Sequence, residues 1–260
     1  MLYQIFDLGT GFLSQWGYPT GRETPPLLSL EIEVENVCHR LTFPKDSSGR
    51  YDLFSTTEDN SLRNNGIEII SNKPLTIGEA GPIIAEVFRV LEVEEATFSH
   101  RTSIHVHNNM LFKTELDIVA YVFLYSLVED ALYDFAGRNR KYSNFCVPIL
   151  SRHLTRMNLP SIKDLPKYCG LSSFRMRDLG TIEWRHFPGT FNFPKLMLWL
   201  EMIHNLDLHC RHTTEDTYNA YRFLNVDVDA IVPILHNIFV YLDINPEKVA
   251  RNLLLLRGMK

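Results

Sequence analysis

Between Leu28 and Asn36 the chain reads Leu-Ser-Leu-Glu-Ile-Glu-Val-Glu-Asn, with Glu31, Glu33 and Glu35 alternating with Leu30, Ile32 and Val34. Successive side chains of a strand point to opposite faces. This spacing therefore gathers the carboxylates on one face and the apolar residues on the other. Two explanations fit such a strand. The acids face water, or they face a cleft that takes something cationic. The stretch alone leaves both open, and other parts of the chain bear on the choice.

With 260 residues and 45% hydrophobic content, the chain can bury a sizeable core, as one large domain or two small ones. A charged fraction of 22% and a net charge of −5 describe a mildly acidic protein. The absence of a basic run or of aromatic–basic interleaving argues against a general nucleic-acid surface, while a local positive pocket stays open. No apolar run is long enough to span a bilayer. Val119–Val128 is interrupted by tyrosines and followed by Glu129 and Asp130, which reads as a core helix. Asp7 interrupts the apolar start and no basic residue precedes it, so a signal-peptide layout is not expected. Cys38, Cys146, Cys169 and Cys210 are scattered, which suits neither zinc nor a disulfide framework. A reducing, cytoplasmic setting is the expectation.

Residues 1–27 read as an irregular arm. Strands are expected at Leu28–Asn36, Cys38–Phe43, Tyr51–Phe54, Gly66–Ser71 and Thr102–Asn108, with Glu58–Ser61 as loop. Helices are expected at Ala80–Leu91, with Pro82 in its first turn, at Glu115–Phe135 and over Pro148–Met157. Gly137–Asn144 reads as a basic loop. Leu171–Arg177 and Thr181–Phe187 read as a hairpin across Asp178-Leu179-Gly180. From Asn192 to Lys260 the pattern is helical, broken near Thr213-Thr214, Val226-Asp227 and Asn245-Pro246. Strands, one inserted helix, more strands and a helical tail make an α+β pattern with a largely antiparallel sheet. No linker divides the chain, so 1–260 reads as one domain, with 192–260 as its helical C-terminal part.

Polar residues interrupt these apolar strands: Glu31, Glu33 and Glu35, then Glu68, then His105 and His107, then Glu183 and Arg185. A buried carboxylate costs several kcal/mol unless it is paired or metal-bound. Each residue has a plain explanation by itself: a solvated edge, an exposed strand position, a satisfied histidine, a hairpin ion pair. Their joint placement on four strands favours a shared face where divalent cations hold the charges together.

The order of these motifs resembles that of the glutamine synthetase-like carboxylate–amine ligases, and within them the amidoligases found in many phages and bacteria. The E-x-E strand is matched by Glu31-Ile32-Glu33. The D-x-S-L and G-x-E-[IV]-[IV]-S segments are matched by Asp59-Asn60-Ser61-Leu62 and Gly66-Ile67-Glu68-Ile69-Ile70-Ser71. The G-x-H-V-H strand is matched by Ser103-Ile104-His105-Val106-His107, with Ser103 in place of the usual glycine. The T-x-E-x-R strand is matched by Thr181-Ile182-Glu183-Trp184-Arg185, followed by Gly189. Ser29 also replaces a glycine. The likeness covers roughly residues 28–190, motif by motif.

The resemblance implies a glutamine synthetase-like catalytic fold: a curved, mostly antiparallel sheet lining the active site, helices on its outer face, and a helical C-terminal region. It implies an ATP- and Mg²⁺-dependent ligase that forms an amide or peptide bond through an acyl phosphate, with Mn²⁺ as a substitute ion. By this match Glu31, His105 and Glu183 hold the metal at the nucleotide's terminal phosphates. Glu33, Glu68 and Asp59 hold the metal near the acceptor carboxylate. Arg185 stabilises the transferring phosphoryl group and is expected to be catalytic together with Glu68 and Asp59, while His107 and Glu35 lie at the cluster's edge, with His107 and Arg185 expected to contact the cofactor. Arg138 and Arg140 of the basic loop read as anion-recognising residues, against the plainer role of a solvated helix end. The implied partners are ATP, a carboxylate and an amine, with amino acids and peptides among the candidates. A guanidino-kinase-like phosphotransferase, a non-enzymatic binding protein on the same scaffold and a metal hydrolase are the competing activities.

Overall fold

The acid-bearing stretch forms β1 (Leu28–Val34) at the centre of a six-stranded antiparallel sheet in a mixed α/β fold. The computed structural model describes all residues except 1–12, 38–40, 47–48, 50–51, 153–164, 166, 223 and 259–260. The other strands are β2 (Phe54–Glu58), β3 (Ile67–Ser71), β4 (Ile104–Asn109), β5 (Leu171–Ser172) and β6 (Thr181–Trp184), and the spatial order is β2-β3-β1-β4-β6-β5. Leu28, Leu30, Ile32, Val34, Ile69, Ile104, Val106, Ile182 and Trp184 are buried on one side. Alternation thus assigns one face to the core and frees the other for polar groups.

Helix α1 (Ile77–Val93) starts at a capping box formed by Thr76 and Glu79. It therefore begins before the expected Ala80, and Pro82 lies inside the helix rather than in its first turn. Helix α2 (Glu115–Ala136) is buried almost continuously from Val119 to Glu129, as a central helix must be. It lies under β6, where Trp184 Nε1 donates to Tyr121 OH at 2.9 Å. After a 3₁₀ turn at Arg138–Tyr142 come two short helices, α3 (Ile149–Arg152) and α4 (Met176–Leu179). Helices α5 (Phe193–Cys210), α6 (Glu215–Arg222), α7 (Val228–Ile238) and α8 (Pro246–Gly258) complete the chain. A buried ion cluster ties α5 to β4: Asp207 accepts from Asn108 at 2.8 Å and from Lys113 at 2.7 Å. No helix among the described residues is long and apolar enough to cross a membrane.

Further expectations change. The described part of the expected Cys38–Phe43 strand, Leu41–Phe43, is irregular: Leu41 and Phe43 are apolar because they pack, Phe43 against Phe54 at 5.8 Å between ring centroids. Cys38 lies outside the described residues. Of the strand expected at Tyr51–Phe54, Tyr51 lies outside the described residues, and the strand seen is Phe54–Glu58, taking in Glu58 from the expected loop. Ser55–Glu58 are exposed, so pairing with β3 rather than an apolar pattern makes this strand. The basic loop is a 3₁₀ turn over Arg138–Tyr142. The last hairpin keeps only Leu171–Ser172 as its first strand; the chain then coils into α4, closed by Gly180 at φ 65°. The helix expected over 148–157 is seen at Ile149–Arg152, and residues 153–157 lie outside the described residues.

Candidate active site

Antiparallel register carries residues distant in sequence to one place. Glu31 stands opposite His105 and Ser29 opposite His107 across β1 and β4. Glu33 stands opposite Glu68 across β1 and β3, and His107 opposite Glu183 across β4 and β6. The polar rows of β1, β3, β4 and β6 therefore share the face away from the helices.

On that face the side chains touch. His107 Nε2 lies 2.9 Å from Glu31 Oε1, and His105 Nδ1 lies 3.4 Å from both Glu31 Oε2 and Glu183 Oε1. His105 Nε2 meets Ser103 Oγ at 2.8 Å, and that hydroxyl donates to Glu33 Oε2 at 2.5 Å. His107 Nδ1 meets Thr181 Oγ1 at 3.0 Å. Arg185 Nη1 donates to Glu183 Oε1, so the two residues pair although they are two apart on the strand, and Arg185 Nε donates to Phe145 O at 3.1 Å.

The face opens into a cavity of about 570 Å³ lined by Glu31, Glu33, Asp59, Glu68, His105 and Glu183, with Arg101, Arg140, Lys167, Arg175 and Arg185 among its other walls. On this face, ligand atoms of three groups lie within 4.8 Å of one another: Glu31–His107–Glu183, Glu31–Glu68–His105 and Glu33–Asp59–Glu68, and all of these residues but His107 line the cavity. Carboxylates with at most one imidazole are the donor set of a hard divalent cation such as Mg²⁺ or Mn²⁺. Two further features fit such an ion. His107 Nε2 is buried without a hydrogen-bond partner, despite its closeness to Glu31. The acids also crowd one another electrostatically. Burial and the charges of Glu31 and Glu33, with further help from Asp59, push the Glu68 carboxyl up to about 8. Glu31 moves the other way. Burial alone would raise it, but His105 and His107 beside it outweigh that cost and hold it well below the usual carboxylate range.

Most of the sequence-selected residues meet here: Glu31, Glu33, Asp59, Glu68, His105, His107, Glu183 and Arg185. Glu35 stands apart. Its Oε1 accepts from the Arg63 N–H at 3.0 Å, fixing the loop that starts at Asp59. Arg140 lines the cavity, yet its Nε and Nη2 donate to the carbonyls of His186 and Arg185 at 3.1 and 2.8 Å, so it also anchors backbone. Lys141 turns away to Asp130. The Arg138 side chain lies outside the described residues. Sequence reasoning missed four contributors: the roles of Ser103 and Arg101, and the pair Lys167 and Tyr168. Ser103 carried a signal, standing where the resemblance has glycine; the others lie in stretches without a motif.

Behind the site, Glu129 accepts from the N–H groups of Ile149 and Leu150 at 2.6 and 3.0 Å and from Tyr125 OH at 2.9 Å. Tyr125 OH also meets His186 Nε2 at 2.8 Å. Burial holds Glu129 up at about 7 and His186 down at about 3. This network fixes the start of α3 just beyond Phe145, the residue whose carbonyl holds Arg185.

No protein-family model matches the chain, and no curated protein matches it. A solved structure described as a novel glutamine synthase homolog is similar to it at 10% identity and a TM-score of 0.36, over 97% of this chain and 70% of the other.

Proposed function

We propose that this chain is an ATP- and Mg²⁺-dependent carboxylate–amine ligase on a glutamine synthetase-like scaffold, forming an amide through an acyl phosphate. The observation that carries this is the set of three overlapping groups that could hold cations, drawn from four strands and from Asp59 just beyond β2, at one cavity with basic side chains in its walls. A carboxylate is a poor electrophile. Transfer of the γ-phosphoryl group to it, with release of ADP, makes its carbonyl open to an amine, and phosphate then leaves. Such transfer depends on neutralised oxygens and aligned reactants more than on covalent help from the protein. Divalent ions supply charge neutralisation and alignment there.

The chain's own residues divide the work. Glu31 and Glu183, with His105 and His107, would hold the ion on the nucleotide side. Glu33, Glu68 and Asp59 would hold the ion on the acceptor side. Arg185, a planar donor beside Glu183, faces the charge of the transferring phosphoryl group. The buried free thiols of Cys146, Cys169 and Cys210 suit a reducing cytoplasm, where ATP is supplied.

An ADP-release screen across amino acids, peptides and small amines, with mass spectrometry of each product, tests the proposal. ADP release that requires both a carboxylate and an amine, and yields an amide, is expected. A phosphorylated acceptor that accumulates without amine would assign the chain to phosphotransferases instead.

A further inference from the structure

The wall near β6 and β5 is neither acidic nor polar in the ordinary way. Phe145 and Tyr168 both line the cavity, and they remain 55% and 46% exposed. Large rings left open inside a cleft are costly to solvate and are characteristic of ligand contacts. Their centroids lie 5.7 Å apart and their planes meet at 80°, so they form a corner rather than a sandwich. A flat molecule lying on one ring would meet the other along its edge.

Cations flank this corner. Lys167 Nζ lies 5.6 Å and Arg185 Cζ 5.9 Å from the centre of the Tyr168 ring. The same Arg185 pairs with Glu183, a member of the Glu31–His107–Glu183 group. One guanidinium therefore separates the aromatic corner from a cation-holding group. The corner is also built on fixed backbone. Val147 N–H donates to Tyr168 O at 2.7 Å, Gly170 N–H donates to Val147 O at 2.9 Å, and Phe145 O accepts from Arg185.

We infer that Phe145 and Tyr168 form the base-stacking corner of the nucleotide site, taking the purine of a nucleoside triphosphate whose phosphates run past Lys167 and Arg185 towards Glu183. A nucleotide is the ligand that joins the two chemistries found side by side here: a planar π surface for the rings and a polyanion for the cations. The acceptor belongs to the opposite end of the cavity, where Asp59, Glu68 and Arg101 line the wall. This inference rests on the proposed use of ATP.

Calorimetric titration of the full chain with MgATP and with magnesium tripolyphosphate separates base from phosphate binding. Because both rings are exposed, Tyr168→Ala and Phe145→Ala remove no core packing, and Tyr168→Phe keeps the ring as a control. The expected result is a loss of roughly tenfold in MgATP affinity for each alanine variant, unchanged tripolyphosphate affinity, and wild-type behaviour of Tyr168→Phe. Wild-type MgATP affinity in both alanine variants overturns the inference while leaving the ligase proposal standing, as does an equal loss for both ligands. A wild-type protein that binds neither ligand overturns the inference and the ligase proposal together.

Discussion

Ser103 holds Glu33 twice: its backbone N–H and its hydroxyl both donate to Oε2, at 2.7 and 2.5 Å. The hydroxyl has a single proton, and it goes to the carboxylate. The contact with His105 Nε2 at 2.8 Å therefore has the ring as donor. Nε2 is thereby committed to Ser103, and Nδ1, which faces Glu31 and Glu183 at 3.4 Å, is the ring nitrogen left to serve a metal. The serine that departs from the glycine of the resembled motif is thus a positioning residue for two candidate ligands. Ser103→Gly is expected to weaken Mn²⁺ binding about tenfold in calorimetry and to leave the circular dichroism spectrum unchanged. Undiminished Mn²⁺ affinity would remove that role.

Glu68 should behave unlike an ordinary buried acid. Its carboxyl, pushed up to about 8, stays protonated at neutral pH in the metal-free protein. Glu68→Gln is then expected to leave metal-free stability unchanged at neutral pH, where the amide replaces an already neutral carboxyl, and to raise it above about pH 8, where an ionised Glu68 would be repelled by Glu31 and Glu33. The same variant should lose Mn²⁺ affinity and turnover, since an amide is a poor ligand for a hard cation. Glu183→Gln should also abolish turnover, and it leaves Arg185 without its carboxylate partner. Thermal melting with and without Mn²⁺ reads out both variants. Wild-type turnover in either one, at limiting metal, would count against the site.

The Glu129 network predicts a pH effect on stability. Its carboxyl is held above the ordinary range, at about 7, so between about 4.5 and 7 the folded chain keeps a proton that the unfolded chain releases. Stability from this group therefore falls as pH rises through that window, by at most about 1.4 kcal/mol per pH unit. His186 has the opposite sign: held neutral down to about 3, it makes stability rise with pH until its ordinary value is passed. Urea denaturation of wild type and Glu129→Gln from pH 5 to 8 isolates the carboxyl. The variant should be less stable at low pH, having lost a bidentate acceptor of backbone N–H groups, and the gap should narrow towards pH 8. A constant gap would contradict the assignment.

Gly189 is required by close approach. A Cβ there would stand 2.3 Å from Thr102 Oγ1 and 2.5 Å from a Phe98 ring carbon. Gly189 N–H also donates to Thr102 O at 3.0 Å, one residue before Ser103. Gly189→Ala should cost about 1–3 kcal/mol in urea denaturation and should weaken Mn²⁺ binding by shifting Ser103. Unchanged stability would show that Thr102 gives way without cost.

Strand alternation is a local property of the chain, and it made half of the site legible in the sequence. Period-two spacing alone puts Glu31 with Glu33, His105 with His107, and Glu183 with Arg185, whatever those strands pair with. Pairing is not local. Only the register across β1, β3, β4 and β6 decides that Glu33 meets Glu68, that His107 joins Glu31 and Glu183, and that Glu35 is diverted to Arg63. Polar Ser55–Glu58 forms a strand because a neighbour offers hydrogen bonds, and Leu41 and Phe43 do not because their side chains are taken up in the core. Phe145 and Tyr168 sit in stretches with no periodic signal, and their corner exists only because Val147, Gly170 and Arg185 fasten two distant segments together. Which face a residue takes follows from chain geometry; which residues share that face depends on contacts between segments far apart in the sequence.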